Sequence, residues 1–419
     1  MYEKLRITLA KSLSALIVTE MKRAKILILT PRFPYPPIGG DRLRIYQICK
    51  HLSGTFDLSL LSMCESEAEM ESKLPDDGIF THVERVFHSS RRRFLGCLRV
   101  APSKLPFQIG YYHNPEFLMR FRALAPAHEG VFAHLIRMAP YVAGYHGVKI
   151  LEMTDAISLA YLRTRDAGLK NRFRSILYGL EMKRLLNYER SIVEQFDLVT
   201  LVSPVDRDFL FPIVHRGKVL ICTNGVDWKS LPFEYSPDGK TIIFIGNNTA
   251  YHNIDALIYF VELIFPIVRT RCQDAIFKVV GRIDDRLKKK LQSYKNVLVT
   301  GAIADIKTCV RNASVGVCPT RFGAGVQNKL LEYMSLGIPS VTSLIGLEGL
   351  KAEPGKDILV ANSPEEWANH ICLLLENPEI GKKITANART YVEHEHSWEL
   401  LLEPLRTAIF DNLPSAKNC

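Results

Sequence analysis

Short runs dominated by apolar residues recur along the chain and are separated by stretches with helical spacing. In the first half they are residues 25–30 (KILILT), 56–62, 83–87, 131–134, 149–153, 197–202 and 218–222. In the second they are 241–246 (TIIFIG), 275–281, 296–300, 315–318 and 340–342. Runs apolar on both sides of the backbone are the pattern of parallel strands covered by helices on two faces. The intervening segments read as helices: one from Asp41, a good N-cap, through Leu43, Tyr46, Ile48 and Leu52, one over 253–270, and two at the end, 364–375 and 384–410. Residues 65–72 read as a short acidic helix and 158–193 as a long basic one, with Gly168 and Gly179 as candidate breaks. Strand alternating with helix in two successive blocks predicts an α/β protein of two Rossmann-like, doubly wound domains facing across a cleft. The proline- and glycine-bearing stretch 230–240 is the most linker-like. The expected partition is an extension, 1–22, a first domain, 23–215, a second, 216–385, and crossover helices, 386–419, the last returning to brace the first domain.

Residues 315–350 (VGVCPTRFGAGVQNKLLEYMSLGIPSVTSLIGLEGL) carry the most chemistry. A strand closed by Pro319 leads into Gly323, Ala324 and Gly325, where a backbone of little bulk can approach a ligand closely. A helix is expected from about Val326, with Leu330, Leu331 and Met334 on one face, stopped by Gly337 and Pro339. Free amides at a helix start make an anion site. Asn328, Lys329 and Glu332 fall in its first turn and a half: the lysine suits a phosphate and the glutamate a pair of sugar hydroxyls. The glycines alone do not complete G-x-G-x-x-G, so the lysine and glutamate carry the reading.

A chain of 419 residues exceeds one core, and 47% hydrophobic with 23% charged residues is a globular balance. The net charge of +10 is uneven, since residues 1–215 hold 30 Lys+Arg against 22 Asp+Glu. A basic first half suits an anionic partner, nucleic acid or an acidic membrane surface. Nucleic acid is not expected, because no helix-turn-helix, RNA-binding aromatic motif or zinc finger accompanies the charge. Arg91–Arg93 beside Phe94, Leu95 and Leu98 leave a peripheral contact with an anionic membrane open, alongside a plain solvated loop. Nine cysteines fall without Cys-x-x-Cys or zinc-ligand spacing, so a cytoplasmic protein without a structural metal is expected. No run reaches the ~18 apolar residues of a membrane-spanning helix. Residues 1–22 hold three basic residues ahead of a short apolar part and read as an extension.

Other candidates sit where such sheets place function, at strand carboxyl ends. Gly39 and Gly40 lie in the proline-rich loop after the first strand, His134 and Asp155 after two later strands, and Arg282 after the second strand of the second domain. His134 is equally a core histidine and Asp155 equally an N-cap. Asp206-x-Asp208 matches a metal-binding Asp-x-Asp literally, but falls in a helical first turn where acids are favoured anyway, so no metal is assigned.

These residues bring a resemblance with them. TPRFPYPPIGGDRLR, LIRMAPY, LEMTDAISLAY, TNGVD, IIFIGNNTAYHNIDALIYF, KVVGR and the 321–350 segment, in this order over roughly residues 24–400, resemble the two-domain GT-B glycosyltransferases of the group-4 branch, which move a sugar from a nucleotide sugar with retention. The nearest look-alikes are sugar transferases of bacterial exopolysaccharide and exosortase-associated clusters. The resemblance implies that Glu332 is the second glutamate of the E-x7-E motif and holds the donor ribose. Ala324 stands where the first would be, leaving the amides of Gly323, Ala324, Gly325 and Val326 to face the pyrophosphate. It implies phosphate contact at Gly39 and Gly40, a reacting-sugar histidine at His134 and an acceptor-side aspartate at Asp155. The usual Arg and Lys clamps after Gly246 are replaced by Asn247, Asn248 and His252, so Lys329, Arg282 and Arg44 become the candidates for charge on the leaving pyrophosphate. The implied partners are a nucleotide-diphosphate sugar, as co-substrate rather than cofactor, and a glycan or lipid-linked glycan acceptor, at the cytoplasm or the inner membrane face. A nucleotide-sugar 2-epimerase and a non-catalytic sugar-nucleotide-binding protein are the alternatives.

Overall fold

The computed structural model describes residues 23–166, 172–213, 215–303 and 306–414; the extension 1–22, and Gly168 and Lys170 of the basic stretch, lie outside them. The first lobe is built on seven parallel strands: β1 (Lys25–Thr30), β2 (Asp57–Cys64), β3 (His82–Phe87), β4 (Gly130–His134), β5 (Val148–Glu152), β6 (Leu198–Leu201) and β7 (Val219–Ile221), in the order β3-β2-β1-β4-β5-β6-β7. The second has six: β8 (Thr241–Ile245), β9 (Ile276–Val280), β10 (Val297–Gly301), β11 (Val315–Cys318), β12 (Ser340–Thr342) and β13 (Leu359–Val360), in the order β10-β9-β8-β11-β12-β13. Every pairing between them is parallel.

Burial on both faces explains the apolar character of successive positions in these runs. Leu27 and Leu29 of β1 enter one core cluster, while Ile26 and Ile28 enter the cluster on the opposite face. In β8 the same split sends Ile242 and Phe244 one way and Ile243 and Ile245 the other. Alternation of side chains along a strand requires it.

Three boundaries differ from the sequence reading. β7 belongs to the first sheet, so the first lobe runs past residue 215. The helix expected over 384–410 is two helices. Pro378–Glu395 stays with the second lobe through Ala388 and Val392, and Trp398–Asn412 returns to the first, burying Leu402, Leu405 and Ile409 in the cluster that holds Ile45 and Ile48. The chain crosses at His396, whose carbonyl accepts from Val226 N at 2.8 Å and whose Nδ1 lies 2.8 Å from Asn224 O. Gly225 is needed there, because a Cβ on it would lie 2.7 Å from Trp398 Cδ2. The basic stretch forms helices Ile157–Asp166 and Arg172–Ile192, and Gly179 interrupts neither.

Helix Tyr251–Arg271 is long and apolar enough to cross a membrane by length and composition, although no such run was expected. It is a core helix: Ala256, Leu257, Phe260, Val261, Ile264, Phe265 and Val268 are buried in the second lobe.

Candidate active site

Each sheet has a switch point. β1 lies between β2 and β4, and β8 between β9 and β11, so connections on either side leave to opposite faces and open a crevice at the carboxyl ends. The expected residues lie at the carboxyl ends of β1, β4, β5, β8, β9 and β11 or in the loops and helices that follow them.

On the second lobe, Gly323 (φ 147°) and Gly325 (φ 73°) take backbone angles that side chains resist. The helix that follows is Asn328–Leu336, with Gln327 as its N-cap in an extended conformation. Val326 is therefore loop, two residues short of the helix expected there, and the amides of 323–327 line a turn ahead of the helix start. Gly337 ends the helix in the left-handed region, as expected. Lys329 is buried; its Nζ donates to Asn253 Oδ1 at 2.8 Å and lies 4.2 Å from the Phe244 ring centre. Burial pulls its pKa down. An ammonium group has three donors, and Asn253 supplies one acceptor. One turn on, Glu332 is half-buried and accepts no hydrogen bond among the described residues. Burial pushes its carboxyl up to about 7, against the pull of Lys329. Burial and the same lysine bring His252 down to about 4, so its imidazole is neutral at neutral pH. A Cβ on Gly281 would lie 2.0 Å from Gly246 O, so the ends of β8 and β9 meet backbone to backbone. Asn247 and Arg282 are exposed, and Asn247 Oδ1 is occupied by the Thr249 hydroxyl at 2.8 Å.

On the first lobe, β4 ends at His134 and β5 at Glu152, side by side in register. His134 Nδ1 donates to Glu152 Oε2 at 2.6 Å, and Arg44 Nε donates to Glu152 Oε1 at 2.7 Å. Arg44 also donates to Asn224 Oδ1 and to the Cys222 carbonyl, each at 2.8 Å, and is 1% exposed. Its guanidinium is committed beneath the cleft, which corrects its assignment to the leaving pyrophosphate. Sequence could not show this, because the partners lie 108 and 180 residues away. Although burial opposes ionisation, Arg44 and His134 hold the Glu152 carboxyl down at about 2.

Asp155 is not the N-cap of helix Ile157–Asp166. Glu189 takes the amides of Ile157 and Ser158, and Asp206 Oδ1 takes that of Ala156 at 2.9 Å. Asp206 is thereby a capping residue, also bonded to the Ser203 hydroxyl. The Asp155 carboxylate is left for the cleft, and burial, with Asp206 nearby, raises it to about 7 while Arg137 opposes. Arg137, which the sequence reading passed over, donates to Gln108 Oε1 at 2.9 Å, lies 5.0 Å over the Tyr112 ring and acts electrostatically on both Asp41 and Asp155.

The lobes meet through the glycine loop. Ala324 packs against the first lobe's core, and a Cβ on Gly325 would lie 3.3 Å from Asp155 Cβ. Arg163 donates to Gly323 O at 2.8 Å and pairs with Glu348. Asn224 Nδ2 donates to Asn328 Oδ1 at 2.8 Å, and Asn328 faces Gly40, next to Gly39 (φ 96°). The structure thus joins Asp155 to Gly325, Gly40 to Asn328, and Lys329 to His252 and Glu332, and leaves Asn247 and Arg282 at the surface.

Residues 239–377 match the family model described as glycosyl transferases group 1. The fold is also found in solved structures. Sucrose-phosphate synthase of Thermosynechococcus elongatus superposes with a TM-score of 0.70 at 14% identity, covering 93% of this chain and 99% of that one. Anabaena HepE in complex with UDP-glucose gives 0.65 at 14% identity, with 92% and 99% covered. The chain has the GT-B fold. The matched segment lies in the second lobe, the one that carries Lys329 and Glu332. An uncharacterized 44.6 kDa protein in the cps region of Klebsiella pneumoniae is 22% identical over 395 residues, 89% of this chain and 96% of that protein.

Far from the cleft, Cys272, Cys372 and Glu376 bring three ligand-type atoms within 4.8 Å of one another, with Arg271 3.4 Å from Glu376. A cation there would share the carboxylate with a guanidinium, which disfavours it.

Proposed function

We propose that this protein moves a sugar from a nucleotide-diphosphate sugar to a glycan or lipid-linked glycan acceptor, with retention at the anomeric carbon and without a metal, in cytoplasmic polysaccharide synthesis. The observation that carries the reading is Glu332: a half-buried carboxylate with no hydrogen bond among the described residues, one turn inside a helix that opens on a glycine loop at the switch point. Two vicinal hydroxyls of a ribose supply the donors it lacks. The loop amides of 323–327 and the spare donors of Lys329 then take the pyrophosphate, and they stabilise its charge as it leaves. Asp155, His134 and Arg137 stand on the acceptor side. The UDP-glucose bound by HepE supports the donor class, and the cps-region relative supports polysaccharide synthesis.

The test is a thermal-shift panel of nucleotide sugars followed by turnover with acceptor extracts. A donor should raise the melting temperature by mass action. Stabilisation without transfer to any acceptor would favour a non-catalytic binding protein, which the loss of cationic clamps at Asn247 and His252 makes the second reading. Conversion of the sugar nucleotide to its epimer, read by mass spectrometry with standards, would favour an epimerase. No stabilisation by any of them would end the proposal.

A further inference from the structure

Residues 88–115 contain five Lys and Arg and no Asp or Glu. They fold as helix Ser90–Val100, a short turn and helix Phe107–Tyr111. The two helices touch glycine to glycine: a Cβ on Gly96 would lie 1.9 Å from Gly110 O, and one on Gly110 2.3 Å from Gly96 O. That contact uses the only face of helix Ser90–Val100 turned inward, where Gly96 and Val100 are buried. Phe94, Leu95 and Leu98 are turned out, 64%, 62% and 54% exposed, with Leu105 beyond them at 41%.

A second exposed apolar row lies on helix Arg172–Ile192, at Ile176, Leu177 and Leu180. The two are parts of one surface. Phe107 N donates to Glu181 Oε1 at 2.7 Å, Arg184 sits 5.1 Å over the Phe107 ring, and Arg184 also donates to Ala101 O at 2.9 Å. Both glutamates of this helix, Glu181 and Glu189, are buried and engaged inward, so the outer surface keeps Lys183 but no carboxylate of its own helix. Arg91, Arg99 and Lys104 are exposed around the leucines, and Arg92, also exposed, pairs with Glu116 at 3.1 Å.

Large apolar side chains left in water, framed by an excess of arginine and lysine, are complementary to one environment in particular, the interface of a bilayer carrying anionic headgroups. We infer that this face, helix Ser90–Val100 with the outer row of helix Arg172–Ile192, docks the first lobe onto an anionic membrane. The side chains enter the headgroup layer and the basic residues meet lipid phosphates. The surface leads to the acceptor side of the cleft: Arg93 donates to Tyr111 at 3.0 Å, and the next residue, Tyr112, lies under Arg137. A lipid-linked acceptor would reach Asp155 from there without leaving the membrane. The inference does not rest on the donor assignment.

The experiment is flotation of the full chain with vesicles of phosphatidylcholine alone and of phosphatidylcholine mixed with phosphatidylglycerol. Binding is expected to the second and not to the first, and to weaken with salt. Phe94→Ser with Leu98→Ser, and separately Arg91→Glu with Arg99→Glu, should each lower partitioning at least about tenfold. The melting temperature without ligand, measured on the same samples, should be unchanged and reports that the variants fold. Equal binding to neutral vesicles, no binding to anionic ones, or variants that bind like the wild type would overturn the inference. So would concentration-dependent self-association abolished by Phe94→Ser with Leu98→Ser, which would make the face a protein contact.

Discussion

Arg163 and Glu348 form a two-pronged ion pair across the lobes, with Nη1–Oε2 at 2.7 Å and Nη2–Oε1 at 3.0 Å, although 185 residues separate them. The same guanidinium donates to Gly323 O, so one side chain of the first lobe holds both the glycine loop and the segment beyond β12 of the second. The pair is 21% and 30% exposed, shielded enough for its geometry to count.

Arg163→Ala should therefore loosen closure rather than unfold either lobe. The expected loss is about 1 kcal/mol, roughly fivefold in kcat/KM, with little change in melting temperature. Glu348→Ala should behave alike, and the double variant should be no worse than the poorer single one. Additive losses in that cycle would show that the two residues act separately.

The strands were legible because a parallel strand buried on both faces must be apolar at successive positions, and 25–30 and 241–246 could hardly be anything else. β13, only Leu359 and Val360, is too short to give a pattern. The loop at 323–325 was legible from its glycines and the helix end from Gly337 and Pro339. What was hidden was pairing across distance. Glu152 reads as an ordinary acid at the end of an apolar run, yet it organises Arg44 and His134 from a neighbouring strand and a remote helix. Asp155 looked like a cap because the carboxylates that do cap its helix, Asp206 and Glu189, lie more than thirty residues further on.

Glu332→Ala should raise donor KM by about 10- to 100-fold, the worth of hydrogen bonds to a charged acceptor. A Lys329→Met variant should instead lower kcat as well, because the pyrophosphate gains charge as it leaves. Steady-state kinetics with the donor found in the thermal-shift panel separate the two, and wild-type kinetics from Glu332→Ala would refute the ribose assignment.

The carboxyl of Glu332 also gives the protein a pH signature. Its folded-state pKa of about 7 lies above the unfolded value near 4, so between these limits the folded state binds the extra proton. Its contribution to stability is therefore greatest below pH ~4, falls as pH rises through that window and is flat above ~7. Glu332→Gln should match wild-type thermal stability at low pH and exceed it at pH 8, in the absence of ligand. Donor binding reverses the preference, since only the ionised carboxylate accepts from two hydroxyls. Donor affinity should thus rise with pH up to about 7 in the wild type, and this rise should be lost in Glu332→Gln. Calorimetry in buffers of different ionisation enthalpy would detect the proton released on binding.

Arg44 separates a structural role from a catalytic one most sharply. Its side chain is fully enclosed and holds Glu152, the Cys222 carbonyl and Asn224, and Asn224 in turn holds Asn328 at the helix start that faces the cleft. Arg44→Ala leaves Glu152 buried with a histidine as its remaining ring partner, and breaking a buried pair in this way costs about 3–5 kcal/mol. Arg44→Lys keeps the charge but has neither the reach nor the fork to satisfy three partners, so it should recover only part of the loss. Both should lower the melting temperature of the ligand-free protein. Activity measured well below that temperature should fall through a higher donor KM, as Asn328 is released, with kcat less affected. If Arg44 met the leaving pyrophosphate directly, the outcome would be the opposite: an unchanged melting temperature and a collapse in kcat. Thermal unfolding without ligand, paired with steady-state kinetics on the same two variants, decides between them.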